Sequence, residues 1–293
     1  MTCQTHRYVA AGPDQIPDHL APETVLSIAS HIVLEDGAFV IGGQALNLWA
    51  ELYSYREELK LYRPYTSKDI DYYGLHGAAK KLADALGGKM LIPEIDNQTP
   101  QTAIVEAVVD GKELQIDFLG HVQGVRADHL NDFVAEIIIP YTQDGATKEL
   151  AIPVMHPLHC LQSRISNLAV LGRKDDTAKR QAEAAPVILQ EYLNSTLNAG
   201  DIREATKTLQ RLFDFLSKDI IGKRAHRYVK RDPLEVIRSF VDDDRIDERF
   251  RNITIVNMLA KIEKQRSAKG RILEILSLHK LMPDKKSDKQ DLN

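Results

Sequence analysis

Over the first 155 residues, short apolar runs alternate with stretches of helical period; beyond residue 157 the strand-like runs stop. Val25, Ile28, Ala29, Ile32 and Val33 recur at a spacing that gathers them on one side of a helix. This predicts a helix over 21–36, with Pro22 in its first turn. Phe39, Val40 and Ile41 form a short apolar run ending at Gly42-Gly43, and Leu46, Leu48, Trp49, Leu52 and Tyr53 continue at helical spacing. The expectation is a strand, a glycine turn and a helix from 44 to 60, ended by Arg63-Pro64. A strand over 69–73 and a helix over 78–86, stopped by Gly87-Gly88, come next. Two hairpins follow. AIVEAVV and ELQIDFL flank Asp110-Gly111, a tight-turn pair, and EIIIPY and KELAIPV flank the longer QDGAT. Later helices are expected at 157–172, 175–194, 201–220, 233–241 and 247–278. The pattern predicts an α+β chain with a mixed sheet and helices over 1–155 and an all-helical domain over 156–281. The charged tail over 282–293 has too little apolar content to pack and is expected to be disordered.

Composition sharpens this picture. A hydrophobic content of 43% over 293 residues supports a soluble globule with a real core. Two cysteines, Cys3 and Cys160, give no disulfide framework and fit a reducing cytoplasm. The opening MTCQTHRYVAAGPDQ lacks a basic segment followed by a long apolar run, so no signal peptide is expected. No stretch reaches the ~18 uncharged apolar residues of a membrane helix. The net charge of −4 is uneven: residues 201–293 hold 22 Lys and Arg against 16 Asp and Glu, so the back of the chain is basic and the front acidic.

The candidate chemistry lies between Phe39 and Gly74. On a strand, Asp69 and Asp71 project from one face while Ile70 and Tyr72 take the other. In LQIDFL, Asp117 lies opposite Leu114, Ile116 and Phe118. Were these strands neighbours, three carboxylates would converge, and converging carboxylates repel unless a cation lies between them. Oxygen-only ligands favour a hard ion, Mg²⁺ or Mn²⁺, that also grips phosphates. Gly42 and Gly43 open a helix, where backbone can approach an anionic phosphate closely. Ser67 and Lys68, just before the first acid, add a hydroxyl and a charge.

The segments GGQALNLW, TSKDIDYYG and LQIDFLG resemble the nucleotidyltransferase fold of the DNA polymerase β superfamily, and within it the AbiEii-type group, toxins of bacterial toxin–antitoxin and phage-abortive systems. The resemblance covers residues 36–190. It implies metal-dependent transfer of a nucleotide from an NTP, with Gly42 and Gly43 on phosphate, Ser67 beside the metal site, Asp69 and Asp71 as metal ligands and Asp117 as the third acid. It also implies an RNA or tRNA acceptor and a protein antitoxin as partners. Two departures stand out. Twenty-five residues separate Gly43 from Asp69, including SYREELKLYRPY. On the helix after the sheet, Arg164 stands where the family tends to carry a lysine, with Asp175 or Asp176 where an acid follows. Arginine binds triphosphate well but is a poor proton acceptor. Leu158, Leu161, Ile165 and Leu168 form that helix's apolar stripe, with Arg164 at its edge.

Other groups carry less. His156, His159 and Cys160 cluster without further ligands of zinc spacing, and His156 is read as a helix start. The run over 218–231 holds Lys218, Lys223, Arg224, Arg227, Lys230 and Arg231 around Tyr228, a composition that suits a nucleic-acid backbone and a stacked base. Leu276, Leu278 and Leu281, with the helix from 247, offer an apolar face to a partner. Two alternatives stay open: a catalytically weak nucleotide-binding or partner-binding protein, and a nucleotidyltransferase acting on a small molecule.

Overall fold

The computed structural model describes residues 4–5, 22–63, 70–94, 99–143, 146–173 and 175–267. In chain order these form β1 (Gln4–Thr5), α1 (Pro22–Ala29), β2 (Phe39–Val40), α2 (Gly42–Leu52), α3 (Glu57–Lys60), β3 (Ile70–Tyr73), α4 (His76–Ala85), β4 (Lys89–Leu91), β5 (Gln101–Val109), β6 (Lys112–Leu119), α5 (Ala127–Leu130), β7 (Val134–Gln143) and β8 (Ala146–Met155). The helices α6 (Pro157–Ala169), α7 (Asp176–Asn198), α8 (Ile202–Lys218), α9 (Leu234–Arg238) and α10 (Val256–Arg266) follow. Short 3-10 turns lie at Leu34–Asp36 and Gly222–Arg227, and a π-helical turn at Phe250–Ile255 leads into α10. The fold is mixed α/β. Its strands make one sheet in the order β1-β7-β8-β2-β3-β6-β5-β4, with β1/β7, β2/β8 and β3/β6 parallel and the other neighbours antiparallel.

Local chemistry accounts for most of these elements. Asp110 and Gly111 both adopt positive φ, 53° and 75°, the backbone of a two-residue hairpin turn whose twist matches its strands. The second hairpin is tighter than the sequence predicts. Gln143 pairs with Ala146, so two residues rather than five connect β7 and β8. Helix α1 stops at Ala29, and Leu34–Asp36 is a separate turn closed by Gly37 at φ 68°. The two sheet edges, β1 and β4, were not foreseen; strands of two and three residues carry too little alternation to read.

The largest correction concerns the helix expected over 44–60. It ends at Leu52, and α3 is a separate turn. Tyr53 is fully buried, and beyond it side chains turn toward Glu191 of α7, a carboxylate only 4% exposed. Tyr55 Oη donates to Glu191 Oε2 at 2.9 Å, Arg56 Nη1 to Oε1 at 2.7 Å and Asn194 Nδ2 to Oε1 at 3.1 Å. A buried acid needs such donors, and continuing the helix would carry Tyr55 and Arg56 away from it. Tertiary demand overrides helical propensity here.

Helix α6 is also more buried than an amphipathic stripe implies, with Ser163, Arg164, Ser166 and Asn167 inside along with Leu158, Leu161 and Ile165. One continuous apolar core crosses residue 155. In it Trp49 of α2 meets Tyr192 of α7 edge to face at 5.6 Å, and its indole Nε1–H donates to Met155 O at 2.9 Å. Among the described residues, no helix is long and apolar enough to cross a membrane. The tail, Leu276, Leu278 and Leu281 lie outside the described residues.

Candidate functional site

Strand alternation and register build the centre of the site. β3 and β6 run parallel with Ile70 beside Ile116, Asp71 beside Asp117 and Tyr72 beside Phe118. Ile70, Tyr72, Ile116 and Phe118 are at most 2% exposed and belong to the core. The two aspartates therefore share the opposite face, half-buried, on adjacent strands. Neighbouring strands lie about 5 Å apart, so two ionised carboxylates there repel by about 3 kcal/mol at an effective dielectric of 20. Gln115 Nε2 donates to Asp117 Oδ1 at 3.0 Å, which holds that carboxylate in place without neutralising it.

The glycine turn meets this pair. Ile41 N donates to Asp71 O at 3.0 Å, binding the start of α2 to β3. Gly42 follows in the left-handed region at φ 67°. A Cβ on Gly42 would stand 2.4 Å from Asp71 Oδ2 and 3.2 Å from both Asp71 Cβ and Cγ, so the Asp71 side chain would have to give way to it. Both conformation and space therefore demand glycine. The turn that frees the α2 amides is thus packed directly on the Asp71 carboxylate. Ser67, Lys68 and Asp69 lie outside the described residues, so the expected triad is represented here by Asp71 and Asp117.

Arg164 is interior, 8% exposed, and not a residue of a solvent-facing edge. Its Nη1 donates to Gln181 Oε1 of α7 at 2.9 Å, while Nε has no hydrogen-bond partner. Burial lowers the guanidinium's affinity for its proton; Cys160 and Asp71 act in the opposite sense and Arg173 with burial. The arginine is therefore electrostatically coupled to Asp71. Beside the Arg164–Gln181 pair, Asn47, Tyr62, Thr177 and Arg180 line a crevice of about 10 Å³, room for one water. Asn47 was not singled out from the sequence. It is 5% exposed with an unpaired Nδ2, and the available signal was a polar residue one turn after Gly43 in an apolar helix.

Other expected residues have structural tasks. Asp175 caps α7, its Oδ1 accepting from Ala178 N at 2.8 Å, and Asp176 lies in a surface ion pair 3.8 Å from Lys179. His156 Nδ1 accepts from Leu158 N at 3.1 Å and caps α6. His159 meets Phe133 edge to face at 5.5 Å, and burial takes its imidazole down to about 3. Burial pushes the Cys160 thiol up to about 12, so this cysteine is inert. Among the described residues, no cluster of three or more His, Cys, Asp or Glu could hold a metal ion. In the basic run, Lys218 pairs with Asp214 at 2.8 Å and Arg231 donates to Gln190 Oε1 at 2.8 Å. Arg224 and Arg227 are exposed and three apart on the 3-10 turn, where such residues eclipse one another. Compared with family models, curated proteins and solved structures, the chain matches none.

Proposed function

We propose that this chain is a metal-dependent nucleotidyltransferase, with a catalytic α+β domain over 1–155 and a helical domain over 156–281, moving an NMP from an NTP to an acceptor hydroxyl. The reading rests on one observation: Asp71 and Asp117 sit side by side on parallel strands, with a left-handed glycine turn pressed on the first. Two half-buried oxygen donors on one face fit Mg²⁺ or Mn²⁺ in donor type, and Asp69, two residues before Asp71, would supply a third. Such an ion, when bound, offsets charge on the triphosphate and on the departing pyrophosphate. The amides of Gly42 and Gly43 at the start of α2 bind the β and γ phosphates, with Ser67 and Lys68 assisting from the approach to β3. Arg164, electrostatically coupled to Asp71, adds positive charge and, being an arginine, binds and orients without accepting a proton. The acceptor oxygen attacks the α-phosphorus in line and loses its proton to solvent, its bond forming as the bond to pyrophosphate breaks. An RNA acceptor is favoured by exposed Arg224 and Arg227, and a toxin role restrained by an antitoxin follows the family resemblance.

A second reading, a nucleotide-binding protein without turnover, is favoured by Arg164 itself. A buried cation coupled to Asp71 already supplies part of the charge balance that a metal would bring. The test uses purified wild type, Asp71→Asn and Asp117→Asn with α-labelled NTPs, Mg²⁺ and either total RNA or a small-molecule extract. Wild type should label an acceptor, and each variant should lose at least about 100-fold in rate. Equal labelling by all three would sink the enzyme assignment. NTP binding with no labelled product would leave the second reading standing.

A further inference from the structure

The buried cation at the carboxylate site is held by an amide and not by an acid. A buried guanidinium is costly unless a carboxylate lies against it. Three less buried arginines follow that rule: Arg56 pairs with Glu191, Arg245 with Asp243 and Arg266 with Asp232. Arg164, 8% exposed, does not. Among the described residues its hydrogen-bond partner is Gln181 Oε1 at 2.9 Å, and its Nε donates to nothing. Cys160, one turn back on α6, supplies no charge, because burial keeps its thiol protonated. Asp71 is coupled to Arg164, but it stands beside a second carboxylate, Asp117, with which the proposed metal would engage it.

Helix α7 does carry an acid close by. Glu183 stands two residues after Gln181, yet it accepts the backbone amides of Lys230 and Arg231 at 2.7 and 3.3 Å. The α7 residue that meets Arg164 is therefore neutral. Gln and Glu have the same length and present an oxygen at the same place; they differ in charge. A glutamate would complete a buried ion pair and cancel the guanidinium's attraction for an anion. The glutamine fixes the guanidinium and leaves its charge uncancelled. The surroundings agree. Arg173, just beyond α6, acts on Arg164 as a like charge, and Arg180, beside Gln181, donates to Thr177 Oγ1 at 3.3 Å; neither has an ion-pair partner among the described residues. Three arginines without a paired carboxylate suit an anion of several charges. We propose that Gln181 is a positioning residue for a triphosphate: it holds Arg164 in place through a neutral acceptor and so keeps that charge available to the anion. The inference rests on the NTP site proposed above.

The experiment compares full-length wild type with Gln181→Glu and Gln181→Leu. Calorimetric titration in Mg²⁺ buffer with inorganic tripolyphosphate, the part that every NTP shares, reads affinity; urea unfolding reads stability. The two variants separate charge from support. Gln181→Glu keeps the hydrogen bond to Arg164 but neutralises it, whereas Gln181→Leu loses the bond and keeps the charge. Affinity and stability should therefore rank in opposite orders. Gln181→Glu should bind tripolyphosphate about tenfold more weakly than wild type, and more weakly than Gln181→Leu, while unfolding at higher urea than Gln181→Leu. A merely structural role predicts that both properties fall together and that the leucine variant is worse in each. The proposal is overturned if Gln181→Glu binds within about twofold of wild type or more tightly than Gln181→Leu, if it unfolds at lower urea than Gln181→Leu or fails to fold, or if wild type does not bind tripolyphosphate at about 1 mM. Label transfer is a separate reading. Wild type that binds tripolyphosphate but labels no acceptor removes the proposed activity and leaves the role of Gln181 standing. Transfer with a KM for NTP unmoved by Gln181→Glu removes that role and leaves the activity.

Discussion

Replacing Gly42 with alanine tests the geometry of the carboxylate face directly. Two costs add at this position. An L-residue in the left-handed region loses roughly 1–2 kcal/mol. The new Cβ also falls 2.4 Å from Asp71 Oδ2 and 3.2 Å from Asp71 Cβ and Cγ, so Asp71 must leave its rotamer or β3 must shift. Overpacking of this kind costs about 1–3 kcal/mol. The sum is roughly 2–5 kcal/mol. Gly37 provides the control: its φ of 68° is within a degree of Gly42's 67°, but a Cβ there meets nothing within 4 Å. Gly37→Ala should cost the backbone term alone, and the unfolded-state entropy gained by alanine is common to both and cancels. Urea unfolding of the two variants, with m-values checked for constancy, reads the difference. Gly42→Ala should be the more destabilising by about 1–3 kcal/mol. In a double-mutant cycle, Asp71→Ala should recover part of that excess, because it removes Oδ2 but keeps Cβ. If Gly42→Ala proves no costlier than Gly37→Ala, the Asp71 carboxylate swings aside freely and the turn is not packed on it.

Acid should weaken the fold through the buried histidines. Both His156 and His159 are depressed below 6.5, so below that pH the unfolded chain takes up protons that the folded chain refuses, and stability is lost as pH falls from 6.5 toward 3. His159 alone should cost about 2 kcal/mol by pH 5, and the slope of urea-midpoint stability against pH should flatten in His159→Phe; an unchanged slope would refute the assignment. Asp175→Ala should lower stability by about 1 kcal/mol, as loss of an N-cap does, with label transfer unchanged, whereas a role as the acid of the family helix requires activity to fall. Charge reversal at Arg224 and Arg227 should reduce RNA labelling, with a loss that is greatest at low salt and narrows as salt rises; intact labelling at every ionic strength would point to a small-molecule acceptor. Arg164→Lys should raise KM for NTP with little change in melting temperature if the guanidinium grips phosphate. A drop in stability with KM unmoved would make Arg164 a structural counter-charge to Asp71 instead.

Much of the framework was legible because its signals are local. The Asp110-Gly111 turn, the apolar runs of β5 and β6, and the stop of α4 at Gly87 each depend on residues adjacent in sequence. What was not legible depends on partners far along the chain. Nothing near Tyr53 announces that Glu191 will draw Tyr55 and Arg56 out of a helix. Arg164 reads as an edge residue on α6 because its stripe is apolar on one side only; the polar side is buried too, once α7 brings Gln181 over it. Of the expected site, alternation could assign Asp71 and Asp117 each to a face of its own strand. It could not show that those strands are neighbours, which is a matter of topology.

That neighbourhood is set by residues that look purely structural. In β6, a slip of one residue would turn Asp117 into the core and carry Ile116 or Phe118 to the aspartate face. Register is therefore fixed by the buried pairs on either side, Ile70 with Ile116 and Tyr72 with Phe118. Burying four such side chains is worth about 1.5–3 kcal/mol each, against about 3 kcal/mol of repulsion between the two carboxylates. The apolar face wins by a margin of several kcal/mol, so the fold can hold both acids together with no cation between them. In the proposed activity this matters for affinity. An ion entering between Asp71 and Asp117 would meet two ligands already placed on one face of adjacent strands, and would relieve a repulsion that the packing of the opposite face has sustained in advance.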